Sequence, residues 1–200
     1  SEDLTPIYMP MVERPGNWTT IWNGGYLTDH IHRRPLVKTS DKGHLKELAN
    51  LPLLEPLETI NCLQQVGWRI NSRVHECMKH FWEQGIPAGG LPSTEGEAIP
   101  SKPVDIDTNA EARRRWRKLA ARTHYENESE ESRRLQVAQV IWMAEKFKDE
   151  TLYMPWYMDF RGRMYPKPYG LQPQGADWSR SLLQFHTGKP MTPDGEYWLA

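Results

Sequence analysis

Cysteine is nearly absent from this chain. Cys62 and Cys77 are the only two in 200 residues. Their spacing of fifteen fits neither a disulfide framework nor a standard zinc pattern. That usage suits a reduced, cytosolic setting. Long hydrophobic runs are missing too. No stretch approaches the roughly 20 apolar residues that cross a bilayer, and no secretory signal is visible. No membrane partner is therefore expected. Charge of one sign is also lacking. The net charge is -1, so only local charge can argue for nucleic acid. Apolar residues make up 38% of the chain, which is low for a globular protein. Against these lacks stand nine tryptophans, each able to bury a large area. The composition suits an elongated or incomplete body. The chain opens on Ser1 and closes on Trp198-Leu199-Ala200, inside a helical pattern. Both ends point to a piece of something longer.

Residues 1–56 are punctuated by proline, glycine and isolated aromatics, so they read as loops and short strands. Trp18 to Tyr26 forms a candidate hairpin closed near Asn23-Gly24. A long helix is predicted over 57–84. Pro56 suits its first turn, and Glu55 lies beside the positive helix end. Ile60, Leu63, Val66, Ile70, Val74, Cys77, Met78 and Phe81 recur at steps near the helical period. Gly85 is a natural stop. Such a helix is about 40 Å long at 1.5 Å per residue. Residues 85–106 form a Pro/Gly/Ser-rich connection without periodicity. A basic helix opens at Thr108, with Glu111 completing a capping-box pattern. It carries Arg113, Arg114, Arg115, Arg117, Lys118 and Arg122. An acidic break is predicted over Glu126–Glu131, followed by a helix over 129–148 with Val137, Val140, Ile141, Ala144 and Phe147 on one stripe. Residues 149–200 turn aromatic, Pro- and Gly-rich again. Trp116 and Trp142 read as core residues of packed helices. Two long antiparallel helices of this kind would make a mobile stalk.

The chemistry concentrates at Arg161, Gly162 and Arg163. Guanidinium forks match phosphate oxygens. A glycine admits a close backbone approach or an unusual dihedral. Asp159 can hold Arg161 in place through an ion pair. Phe160 and Tyr165 offer stacking faces for bases. Alone, Arg-Gly-Arg is also what a surface turn looks like. His30, His32, His75 and His80 could be drawn with Cys77 into a metal site, but satisfied or exposed histidines are the simpler reading. Lys42 reads as a loop lysine that could touch nucleic acid.

The surroundings add specificity. The run Tyr153-Met154-Pro155-Trp156-Tyr157-Met158-Asp159-Phe160-Arg161-Gly162-Arg163-Met164-Tyr165 is followed by Gln172-Pro173-Gln174-Gly175-Ala176-Asp177. This series resembles the start of the palm in single-subunit DNA-directed RNA polymerases of bacteriophages and mitochondria. Upstream, Trp22-Asn23-Gly24-Gly25-Tyr26 and Arg33-Arg34-Pro35-Leu36 resemble the end of that family's N-terminal domain. Gly67-Trp68-Arg69-Ile70-Asn71 resembles the opening of its thumb. Lys102-Pro103, Asp105-Ile106-Asp107 and Ser132-Arg133-Arg134 follow in the family's order.

The resemblance implies a mainly α fold with minor β. Long antiparallel thumb helices would join the start of a polymerase palm, an incomplete right-hand architecture. The implied domains are 1–65, the end of the N-terminal domain; 66–149, the thumb; and 150–200, the start of the palm. It implies that Arg161, Gly162 and Arg163 grip the template and the RNA–DNA hybrid. Phe160, Tyr165, Gln174 and Gly175 would line the template path. Arg133, Arg117 and Lys118 would meet nascent RNA, and Asp159 would position the arginines. The acidic run Glu126–Glu131 departs from the basic thumb tip of familiar members.

In that family two magnesium ions are clamped by aspartates in motifs downstream, so no catalytic residue is expected in this chain. Asp159, Asp177 and Asp194 are metal candidates on paper only. The implied partners are the DNA template, nascent RNA and NTPs, and the implied enzyme is a monomer. The implied setting is the cytoplasm of an infected bacterium or, alternatively, a mitochondrion. Two rival readings are a non-catalytic helical nucleic-acid-binding module and a structural domain with solvated arginines.

Overall fold

The computed structural model describes residues 6–28 and 34–199. Arg33, His30 and His32 lie outside the described residues. Helices and three small sheets make up the described chain.

The N-terminal hairpin forms. Strands β1 (Gly16–Thr20) and β2 (Asn23–Gly25) pair antiparallel, with Thr20 opposite Asn23. The turn falls at Ile21-Trp22, slightly before the expected Asn23-Gly24. Asn23 is used differently: its Oδ1 accepts from Thr20 N at 2.8 Å and Thr20 Oγ1 at 2.9 Å. Strand β3 (Val37–Lys38) follows, then a helix the sequence reading missed, α1 (Lys42–Ala49). Asp41 caps it, accepting from Gly43 N and His44 N. Lys42 is thus the first residue of a helix and not a loop lysine.

The expected helix over 57–84 is two helices with a strand between them: α2 (Leu54–Gln64), β4 (Gly67–Ile70) and α3 (Ser72–Glu83). The three-and-four spacing runs through the strand by coincidence. Pairing wins because β4 is sandwiched between β5 (Leu152–Tyr153) and β8 (Leu183–Phe185). Trp68 stacks on Phe185 with ring centroids 4.6 Å apart. Asn71 then restarts the helix by accepting from Val74 N. Pro56 and Glu55 sit in the first turn of α2, and Gly85 follows the end of α3 at φ +66°, as the sequence suggests.

A second correction concerns the acidic run. Residues 126–131 do not break anything. One helix, α4 (Ala110–Lys146), runs through them for 37 residues. Glutamate is a good helix former, and no Gly or Pro interrupts the segment. Arginines on either side of the run pair with its glutamates. Arg122 Nε meets Glu126 at 2.7 Å and Arg133 meets Glu130 at 2.5 Å, the favourable helical spacings. The cap is Asn109, whose Oδ1 accepts from Glu111 N and Ala112 N. Thr108 is tied into the preceding turn by donating to Asp105 O. The thumb-like pair is therefore one very long helix and one short one.

The 85–106 connection lacks regular structure, as expected, and is strapped onto α4. Arg133 donates to Gly90 O, Arg134 to Thr94 O, and Trp116 Nε1 to Pro100 O. Asn127 exchanges two hydrogen bonds with the Glu97 backbone. Trp142 is 43% exposed under the Lys146 ammonium, so it is not a core residue. The C-terminal half of α4 does enter the core. Val137, Val140, Met143, Ala144 and Phe147 are buried there with Leu152, Met154, Leu171 and Leu182.

Candidate nucleic-acid interface

The site rests on the sheet β3–β6–β7. Strand β6 (Trp156–Asp159) pairs parallel with β3 and antiparallel with β7 (Met164–Pro166). Burial alternates along β6. Trp156 and Met158 face the core, while Tyr157 and Asp159 are only partly covered. Val37, opposite Met158, is buried, and Lys38, opposite Asp159, is exposed. The sheet therefore has one dry face and one wet face, with Tyr157 and Tyr165 paired 5.8 Å apart on the wet one.

A buried glutamine braces this sheet from behind. Gln64 is fully buried, and its Oε1 accepts from Trp18 Nε1 at 3.0 Å and from Trp156 N at 3.2 Å. Its Nε2 donates to Gly16 O at 3.1 Å. One side chain thus joins the hairpin, α2 and the first residue of β6. Sequence reasoning missed it. A glutamine between Leu63 and Gln65 carries no pattern that separates it from a surface residue.

The connection from β6 to β7 is a tight turn. Gly162 N donates to Asp159 O at 3.1 Å, and Asp159 N donates to Arg163 O at 2.9 Å. Gly162 holds φ +80°, the left-handed conformation that favours glycine at this point of a hairpin. A Cβ there would meet nothing within 4 Å, so the backbone dihedral alone demands glycine.

Asp159 plays a different part from the expected ion pair. Its Oδ1 accepts from Arg161 N at 2.8 Å and Arg163 N at 2.9 Å. The carboxylate fixes the loop backbone, an Asx-type turn, and leaves both guanidinium groups free of it. Arg161 and Arg163 are exposed, and Phe160 is 60% exposed with the Arg161 guanidinium 5.0 Å over its ring. Two cations and an aromatic face are thereby presented on a braced edge. That arrangement suits a phosphate chain with bases to stack.

Gln174 joins this group. Its Nε2 donates to Met164 O at 3.2 Å, placing it against β7. Gly175 is packed inward, where an added Cβ would lie 3.2 Å from Gln172 O. Arg117, Lys118 and Arg133 lie on α4, and the hydrogen bonds of Arg133 go to Glu130 and Gly90 and not to the turn. Asp159 is committed to its turn, Asp177 pairs with Arg180 at 2.6 Å, and Asp194 sits in α6 (Pro193–Leu199). His75 is buried with Nε2 3.7 Å from Glu145, while His80 and Cys77 are exposed. Among the described residues, no three His, Cys, Asp or Glu gather as metal ligands would. Among the described residues, no helix is long and apolar enough to cross a membrane.

No family model matches the chain. Individual relatives do. Over 98% of the chain it is 34% identical to "DNA-directed RNA polymerase" of Enterobacteria phage K11, covering 22% of that protein. It is 33% identical to "T7 RNA polymerase" of Escherichia phage T7, over 98% of the chain and 22% of that protein. It is 31% identical to "DNA-directed RNA polymerase, mitochondrial" of Schizosaccharomyces pombe, over 98% of the chain and 17% of that protein. The chain spans about a fifth of the length of these curated relatives.

Proposed function

We propose that this chain, a member of the single-subunit RNA polymerases by similarity along nearly all its length, is the template- and hybrid-gripping part of a DNA-directed RNA polymerase. The parent enzyme would transcribe a duplex DNA template into RNA from NTPs, as a monomer. Residues 1–65 would close the N-terminal domain, 66–149 form the thumb, and 150–200 begin the palm of a right-hand architecture. Two Mg²⁺ ions would do the phosphoryl chemistry, held by aspartates outside this segment. The relatives come from phages and from organelles, and the short spacing between motifs favours the phage setting.

One observation carries the reading. The Asp159–Arg163 turn presents two exposed guanidinium groups and the Phe160 ring from a braced strand edge. Tyr165 and Gln174 extend the same surface. Arg117 and Lys118, exposed on α4, would meet nascent RNA. Arg133 would do so by giving up its bond to Gly90.

The test is binding of an RNA–DNA hybrid across a salt series. Arg161→Ala and Arg163→Ala should each weaken binding about tenfold at low salt. Each should also reduce the salt slope by about one. Arg163→Ala should lower transcription by the full enzyme and leave melting unchanged. Unaltered affinity and slope in both variants would remove the turn from the interface.

A further inference from the structure

Three buried side-chain nitrogens find no hydrogen-bond partner among the described residues: Trp68 Nε1, Trp156 Nε1 and His75 Nε2. An indole N–H can only donate, but an imidazole can take up a proton and a charge. His75 therefore stands apart from the other two. It is 5% exposed near the start of α3, where its backbone N–H donates to Asn71 O at 2.9 Å. Its Nε2 lies 3.7 Å from Glu145 Oε2, on the last turn of α4. That gap is too long for a hydrogen bond and short enough for a small shift to close.

The charges around the pair come from both helices. Glu145 Oε1 accepts from Lys148 Nζ at 2.7 Å, and Lys79 Nζ lies 3.7 Å from Oε2. The Lys148 hydrogen bond first, and then the Lys148 and Lys79 charges, hold the Glu145 carboxyl below the usual carboxylate range. Glu145 thus stays ionised where histidine ordinarily changes charge, between about pH 5 and 8. Asp149 places its charge beside Lys148. On α3 itself, Arg73 and Glu76 flank His75 from exposed positions. Burial and the positive end of α3 oppose a charge on His75. The Glu145 carboxylate and the negative end of α4 favour it. Glu145 is half-exposed, so its carboxylate can swing toward Nε2 without disturbing the core. A neutral imidazole leaves the buried nitrogen unpaired, which is costly, and a bonded imidazolium does not.

We propose that His75 and Glu145 form a proton-operated latch between α3 and α4. Protonated His75 donates from Nε2 to Glu145 Oε2 in a charge-assisted hydrogen bond. The buried nitrogen gains its partner, and the start of α3 is tied to the last turn of α4. Loss of the proton releases the tie. The folded chain then holds the His75 proton more tightly than the unfolded chain does. Stability from the latch is therefore present in acid and lost as pH rises. The inference stands on these side chains and does not need the polymerase reading.

Hydrogen exchange of the full chain at about pH 5.5 and about pH 7.5 tests it, on either side of the ordinary histidine midpoint. Rates are corrected for the intrinsic pH dependence of exchange and read at the buried Met78 of α3 and Ala144 of α4. The unaltered chain should gain about fivefold more protection in acid than His75→Gln or Glu145→Gln. Glu145 is half-exposed, so its variant stays informative even if His75→Gln fails to fold. Lys79 competes for Oε2, so Lys79→Met should enlarge the acid gain. A His75 that only fills space would cost equal protection at both pH values when replaced, and that result overturns the proposal. So does an acid gain that persists in full in Glu145→Gln. Hybrid binding by Arg161 and Arg163 is read separately, so failure of the latch leaves that reading standing.

Discussion

Arginines occur in two settings in this molecule, and the contrast shows what makes an arginine available. On α4 they sit at helical spacing from glutamates, and several are spent inside the molecule. Arg122 pairs with Glu126, Arg133 with Glu130 and the Gly90 carbonyl, and Arg134 with the Thr94 carbonyl. At the β6–β7 turn the nearest acid, Asp159, is consumed by backbone N–H groups. Arg161 and Arg163 are exposed, next to an acid bonded to their backbone N–H groups and not to their guanidinium groups. Local density of arginine is a poor guide to function. What the neighbouring carboxylate is doing is a better one.

The contrast can be broken at several points. The largest effect should come from the brace behind the turn. Gln64→Leu removes the partner of Trp18 Nε1 and Trp156 N in a buried site, and of Gly16 O at its partly buried edge. That should cost about 3 kcal/mol and lower Tm by roughly 6–12 °C in a melting experiment. Equal stability in the variant would mean that β6 needs no brace.

Asp159→Ala comes next. Losing two acceptor contacts should cost about 1–2 kcal/mol and also weaken hybrid binding, since the arginines are no longer presented. Asp159→Asn keeps an acceptor oxygen and should recover most of both. If Asn were as damaging as Ala, the acid would be acting through its charge, and the difference between turn and helix would shrink.

A smaller loss is expected from Gly162→Ala. Nothing crowds the new methyl group, so the cost is the left-handed dihedral alone, about 1 kcal/mol by denaturant titration. The smallest effect belongs to the helix. Arg133→Ala should move Tm by no more than about 1 °C. It should reduce the salt slope of hybrid binding by less than Arg163→Ala does, while exposing the 85–106 connection to faster proteolysis. A slope change as large as that of Arg163→Ala would place Arg133 in the interface on equal terms.

Much of this site is legible in the sequence, for local reasons. A glycine between two arginines suggests a surface turn, and the structure makes it the tip of the β6–β7 hairpin, though with Asp159 bonded to the backbone and not to a guanidinium. Asn23 and Gly85 act close to where their residue types suggest. The misses arise where distant parts of the chain decide. Gly67–Ile70 fits a helix by spacing, and only the strands at 152–153 and 183–185 make it a strand. Glu126–Glu131 looks like a break when charge is read without its i±4 partners. The contacts of Gln64 and the approach of His75 to Glu145 join residues far apart in sequence, so no window along the chain reveals them.

The strand that the periodicity concealed also governs the mechanics of the molecule. Chain leaves the body through β4 and, more than 80 residues later, returns through β5, its hydrogen-bonded neighbour. The α3–α4 excursion is therefore stapled at its root, like a loop of rope tied at one cleat. That root lies in the β5–β4–β8 sheet, while the turn belongs to the β3–β6–β7 sheet. The excursion is thus anchored apart from the arginine edge, with Met78 and Leu91 joining Val137 and Val140 in the core.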